Sequence, residues 1–164
     1  MYERILVPVD GSAQSSRGLD EALKIARSKR AHIRLIHVIN GAPLASPGLT
    51  GEKFEVVFAQ VRDDGRRLLD LAEAYVSKAG IAVDAKLIET AQTSLSESVA
   101  QEAESWPADL IVCGTHARGG LLRTILGSEA EDILRHSPVP VLLVPTHSKP
   151  PSGTRVDIAQ ASES

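Results

Sequence analysis

The chain reads as an α/β fold, an open sheet of five parallel strands with helices on both faces. Three observations predict it. Five short β-branched or aliphatic runs are separated by four longer helical segments, and strands alternating with helices demand parallel pairing and right-handed crossovers. One run, D-L-I-V-C at 109–113, is unbroken and apolar, as a strand buried on both faces is. The 164 residues are enough for one domain with a real core.

The elements follow in order. Residues 5–9 form a short first strand ended by Pro8 and Asp10, and Ser12 caps a helix whose inward stripe is Leu19, Ala22, Leu23 and Ala26. A second strand at 32–39 sets Ile33, Leu35, His37 and Ile39 on one face. Glycines and prolines make 40–51 a mobile loop. A long helix follows over 52–79, ended by Gly80 and weakened inside by Gly65, which costs about 1 kcal/mol against alanine. Residues 81–89 alternate as an edge strand does, with Lys86 outward to blunt unwanted pairing. Ser94-x-x-Glu97 is a capping box for a helix ending near Trp106-Pro107. After the strand at 109–113 comes a glycine-punctuated segment, then Ser128-x-x-Glu131, a second capping box, opening a helix to His136. The last strand, 141–144, is bounded by Pro140 and Pro145, and the polar, proline-rich 147–164 reads as a disordered tail. The domain is therefore 1–146.

Composition narrows the function classes. The net charge is −3 with scattered Lys and Arg, so no basic stripe points to nucleic acid. There is no signal-peptide pattern and no apolar run long enough to span a bilayer. The single cysteine, Cys113, has no internal partner, which fits a reducing cytoplasm. No G-x-S-x-G elbow, Walker lysine motif or CxxC occurs. Cys113 in a buried strand makes a poor nucleophile. His37, His116 and Asp10 do not form a convincing protein-only metal set.

The segment 114–128, G-T-H-A-R-G-G-L-L-R-T-I-L-G-S, joins a strand to a helix start through glycines. Such a junction suits an anion, because glycines admit close backbone approach and helix-start amides point at the ligand. Its spacing resembles the nucleotide loop of the universal stress protein family, whose ATP-binding members carry Gly, two residues, Gly, nine residues, then Gly-Ser or Gly-Thr. Gly114, Gly127 and Ser128 match, and Ala117 stands where the second glycine would be. The resemblance extends to P-V-D-G-S at 8–12, H-V-I at 37–39 and P-V-P-V-L-L-V at 138–144. It implies a Rossmann-like sheet of order 3-2-1-4-5, with a ligand at the reversal between the first and fourth strands.

The resemblance also implies site residues. Pro8, Val9 and Asp10 end the first strand beside the nucleotide. Asp10 accepts from ribose, adenine or a water on Mg²⁺, or else caps the turn at Gly11-Ser12. Val38 meets adenine through its main chain, or is simply core. Cys113 and Gly114 close the fourth strand, and His116, which can contact phosphate or solvent, and Ala117 follow; by their charge rather than by the resemblance, Arg118 and Arg123 neutralise phosphate or stay solvated. Gly127, Ser128, Glu129 and Ala130 start the last helix, where phosphates or only a cap belong. If the Ala117 position uses φ > 0, alanine costs about 1 kcal/mol there and weakens the ligand several-fold. Glu129, Glu131 and Asp132 repel a triphosphate unless Mg²⁺ and the arginines offset them. The expected function is a cytoplasmic stress-response module binding Mg-ATP as a regulatory ligand, with slow hydrolysis at most. A dimeric interaction protein without nucleotide, or a hydrolase of the nucleotide α–β bond, are the alternatives. Two copies are expected to pair through Val141–Val144 at the sheet edge.

Overall fold

The computed structural model describes residues 2–41, 51–116 and 127–146. The elements are β1 (Arg4–Pro8), α1 (Ala13–Lys29), β2 (His32–Asn40), α2 (Glu52–Lys78), β3 (Ala82–Thr90), α3 (Leu95–Ser105), β4 (Leu110–His116), α4 (Ser128–His136) and β5 (Val141–Thr146). All strands are parallel, in the order β3-β2-β1-β4-β5. β3 is the edge strand that its alternation predicts. The tail at 147–164 lies outside the described residues, as does most of the loop expected at 40–51, of which Asn40 closes β2.

Strand alternation divides the core into two layers. Ile5, Val7, Ile33, Leu35 and Val112 face α1 and α2, packing on Leu19, Leu23, Leu69 and Val76. Leu6, Ile36, Ile111 and Cys113 face α3 and α4, meeting Val99, Ala103 and Ile133. Each fully buried Leu or Ile stabilises the fold by about 1.5–3 kcal/mol relative to an exposed one. No described helix is long and apolar enough to cross a membrane.

Three local expectations change. β4 does not stop at Cys113: Gly114, Thr115 and His116 continue it, in register with Val144, Pro145 and Thr146 of β5. The capping box expected at Ser128 and Glu131 is absent. Gly127 is the N-cap and Ser128 is already helical, so no side chain caps this helix. Glu131 instead pairs with Arg135, 2.6 Å away. The box at Ser94 and Glu97 is present, with both reciprocal bonds. Finally, Gly65 is a packing requirement more than a weak point in α2. A Cβ there would stand 2.8 Å from the His37 ring and 3.0 Å from Leu87, so the helix lies close on the sheet only because that atom is missing.

Candidate functional site

The strand order reverses between β1 and β4, and their carboxyl ends open into a crevice of about 840 Å³. Open α/β sheets hold ligands at such a switch point. Pro8, Val9 and Asp10 border it from β1 and the turn beyond, and Val38 from β2. Cys113 and Gly114 form its floor from β4; Gly127, Ser128, Glu129 and Ala130 enter from the start of α4. Of the other expected residues, Ala117, Arg118 and Arg123 lie outside the described residues. His116 ends β4 by its main chain, and its side chain is likewise outside them.

Asp10 is exposed, and its Oδ1 accepts from the Ser12 N–H at 2.8 Å. The Asp10 N–H in turn donates to Ser15 Oγ at 3.2 Å. This tight turn needs Gly11, whose φ is +81°. The turn-capping role of Asp10 is thus present, and its carboxylate still borders the crevice. His37 is fastened from the opposite side: its Nδ1 donates to the Val9 carbonyl at 2.7 Å. A carbonyl only accepts, so the proton sits on Nδ1, and the ring holds the end of β1 against β2.

The two glycines that match the family spacing, Gly114 and Gly127, do different work. A Cβ on Gly114 would fall 1.8 Å from the Gln14 carbonyl oxygen, and one on Gly18 would fall 2.7 Å from the Gly114 nitrogen. Gly114 is therefore used by the chain itself, to let α1 lie on β4. Gly127 is not: its φ is −61°, open to any residue, and among the described residues the nearest atom to a Cβ there is Thr115 Oγ1 at 4.0 Å. The space above Gly127 is unfilled by the described chain and faces the crevice.

Three helix N-termini converge here, since Ser12, Ser94 and Gly127 all border the crevice. Ser12 closes its own, accepting from the Ser15 N–H at 3.1 Å. Ser94 does the same with the Glu97 N–H at 3.2 Å. Of these three, only α4 has no side-chain cap, so its first-turn amides and dipole remain available to an anion. The acids of the lining are Asp10, Glu129 and Asp132; no Lys or Arg borders the crevice among the described residues. Burial pushes the Cys113 thiol up to about 11, which removes it as a nucleophile.

A model of the universal stress protein family matches residues 1–145. The chain belongs to that family. Universal stress protein MJ0531 of Methanocaldococcus jannaschii is 30% identical over 145 residues, spanning 88% of this chain and 82% of the relative. A crystal structure of a family protein from Burkholderia pseudomallei superposes with a TM-score of 0.73 at 32% identity, covering 88% of this chain and 97% of the other. Two family structures that share the fold carry ligands. One is a complex with cAMP (TM-score 0.62, 23% identity, covering 89% of this chain and 98% of the other). The other, from Archaeoglobus fulgidus, is a complex with dAMP (TM-score 0.57, 20% identity, covering 87% and 98%).

Several lining residues escape a reading of the sequence for site residues, notably Asn40, Ser94, Ser96 and Thr115. Ser94 is legible as a cap, but nothing local says that its helix ends at the same crevice. Thr115 stands inside the loop motif. Continuing the strand alternation two residues past Cys113 would have put it on the same face.

Proposed function

We propose that this family member binds an adenine nucleotide in the β1–β4 crevice, ATP with Mg²⁺ being the leading ligand, as a regulatory signal in the cytoplasm. The observation that carries the reading is the uncapped start of α4 beside Gly127, at the switch point of the sheet. Both acceptor-rich phosphate and an unfilled approach over a glycine fit there. Asp10 would meet ribose, adenine or a water on Mg²⁺, and Val38 would meet adenine through its main chain. Mg²⁺ would offset the charge between a triphosphate and Asp10, Glu129 and Asp132.

The expected affinity for Mg-ATP is micromolar to sub-millimolar, about −5 to −8 kcal/mol. Calorimetry checks it, and EDTA should weaken ATP more than AMP. No heat and no thermal shift at millimolar ATP, AMP or cyclic AMP would end the nucleotide reading. A mononucleotide is the second reading, favoured by the acidic lining and by the cAMP and dAMP held in the two related structures. Tighter binding of AMP than of Mg-ATP would select it. We also infer a homodimer joined through β5. All six residues of that edge strand are only half-buried, and Val141 and Leu143 pack on the α3–α4 layer, while no described strand pairs with its outer backbone edge. Sedimentation of the same samples as a monomer at tens of micromolar would refute it.

A further inference from the structure

The nucleotide reading leaves one buried group without a role, the hydroxyl of Thr115. Strand alternation turns this residue to the side of Cys113, beneath the start of α4. Thr115 is 4% exposed, and its Oγ1 has no hydrogen-bond partner among the described residues. Its carbonyl, by contrast, is satisfied by the Thr146 hydroxyl at 3.1 Å. Buried hydroxyls are nearly always paired, so this one is either a defect of the fold or a contact for a ligand.

Its surroundings favour the second. Thr115 borders the crevice, and Oγ1 lies 4.0 Å from where a Cβ on Gly127 would stand. Gly127 is the N-cap of α4, a nine-residue helix that no side chain caps. The free groups at this helix start are N–H donors, and none of them is bonded to the hydroxyl. A partner for both the amides and the hydroxyl must be an acceptor with several lone pairs. An anionic oxygen is that partner, and a ribose hydroxyl is a poorer one.

We propose that Thr115 is a phosphate contact, its hydroxyl donating to the oxygen of the bound nucleotide that lies nearest the start of α4. The proposal rests on the nucleotide reading and narrows it, since a ligand without phosphate gains nothing from this hydroxyl. The test is calorimetry of wild type, Thr115→Val and Thr115→Ser with adenosine, AMP and Mg-ATP, alongside thermal melts of each protein without ligand. Thr115→Val keeps the shape and removes an unpaired polar atom, so the ligand-free protein should melt about 2–4 °C higher. It should bind AMP and Mg-ATP about tenfold or more weakly, because the lost bond is to a charged acceptor. Adenosine affinity should not change, and Thr115→Ser should restore phosphate-ligand affinity. Unchanged AMP binding by Thr115→Val, an equal loss for adenosine, or a lower melting temperature overturns the proposal while the nucleotide site stands. A wild-type protein that binds none of the three ligands removes the site and the contact together.

Discussion

On the α1–α2 side of the sheet, helices and strands come together where side chains are missing; on the α3 side, they come together through charge. Gly18 and Gly114 let α1 lie against β4, and Gly65 lets α2 lie over His37 and Leu87. Across the sheet, Glu102 of α3, its side chain 4% exposed, is held by Arg34 of β2 at 2.9 Å and Lys86 of β3 at 2.5 Å. Arg34 also forks onto Asp84 and stacks over Trp106, 4.7 Å from the ring centroid. The difference is one of tolerance. The Gly18 and Gly114 contacts are intolerant of any added atom, because the neighbour is backbone, whereas at Gly65 the neighbours are the side chains of His37, Leu87 and Ile39. A charged contact is intolerant of losing one partner, yet admits replacement by apolar groups.

The harshest way to break this contrast is Gly114→Ala. Its Cβ would overlap the Gln14 carbonyl, and neither β4 nor α1 can yield cheaply. Loss of cooperative melting, or a fall in melting temperature of about 10 °C or more, is expected. A wild-type melt would refute the packing role. The same variant is a poor probe of nucleotide binding, since it damages the fold first.

On the charged side the two partners should differ. Arg34→Met leaves the buried Glu102 with only half-exposed Lys86 and should cost about 3 kcal/mol, whereas Glu102→Leu leaves cations that reach water or Asp84 and should cost about 1 kcal/mol. Urea titration of both variants measures the ordering, and equal costs would remove the asymmetry. The smallest effect concerns pH. Burial alone would raise the Asp84 carboxyl, but the Arg34 hydrogen bonds and charge, with His32 beside it, outweigh that and hold it below its ordinary 3.8. A depressed carboxyl stabilises the fold fully above its unfolded value and loses that contribution as pH falls through its folded value. Asp84 is one-third exposed, so the loss is slight. Asp84→Asn should flatten the acid side of the melting-temperature profile a little, and an unchanged profile would show that the pair contributes nothing.

The alternation of strands and helices was legible because each element carries its own periodicity, and so were the caps at Ser12 and Ser94. The strand order and much of the crevice lining rested on motif resemblance, since pairing between β1 and β4 joins residues about a hundred positions apart. Where the reading slipped, the deciding contact was distant or the error a single residue. Gly-Thr-His looked like loop, yet β5 extends it as strand. Gly65 looked like a flaw until the sheet stood beneath it. Ser128 sits one position inside the helix it was expected to cap, within the usual ambiguity of helix ends.

The burial of Cys113 has a consequence for a chain of a stress-response family. With its thiol pushed up to about 11 by burial, Cys113 stays protonated at neutral pH. Peroxides and disulfides react with the thiolate and need access to it, and this residue is 6% exposed. Cys113 should therefore pass through an oxidising episode unmodified, leaving the crevice lining chemically unaltered.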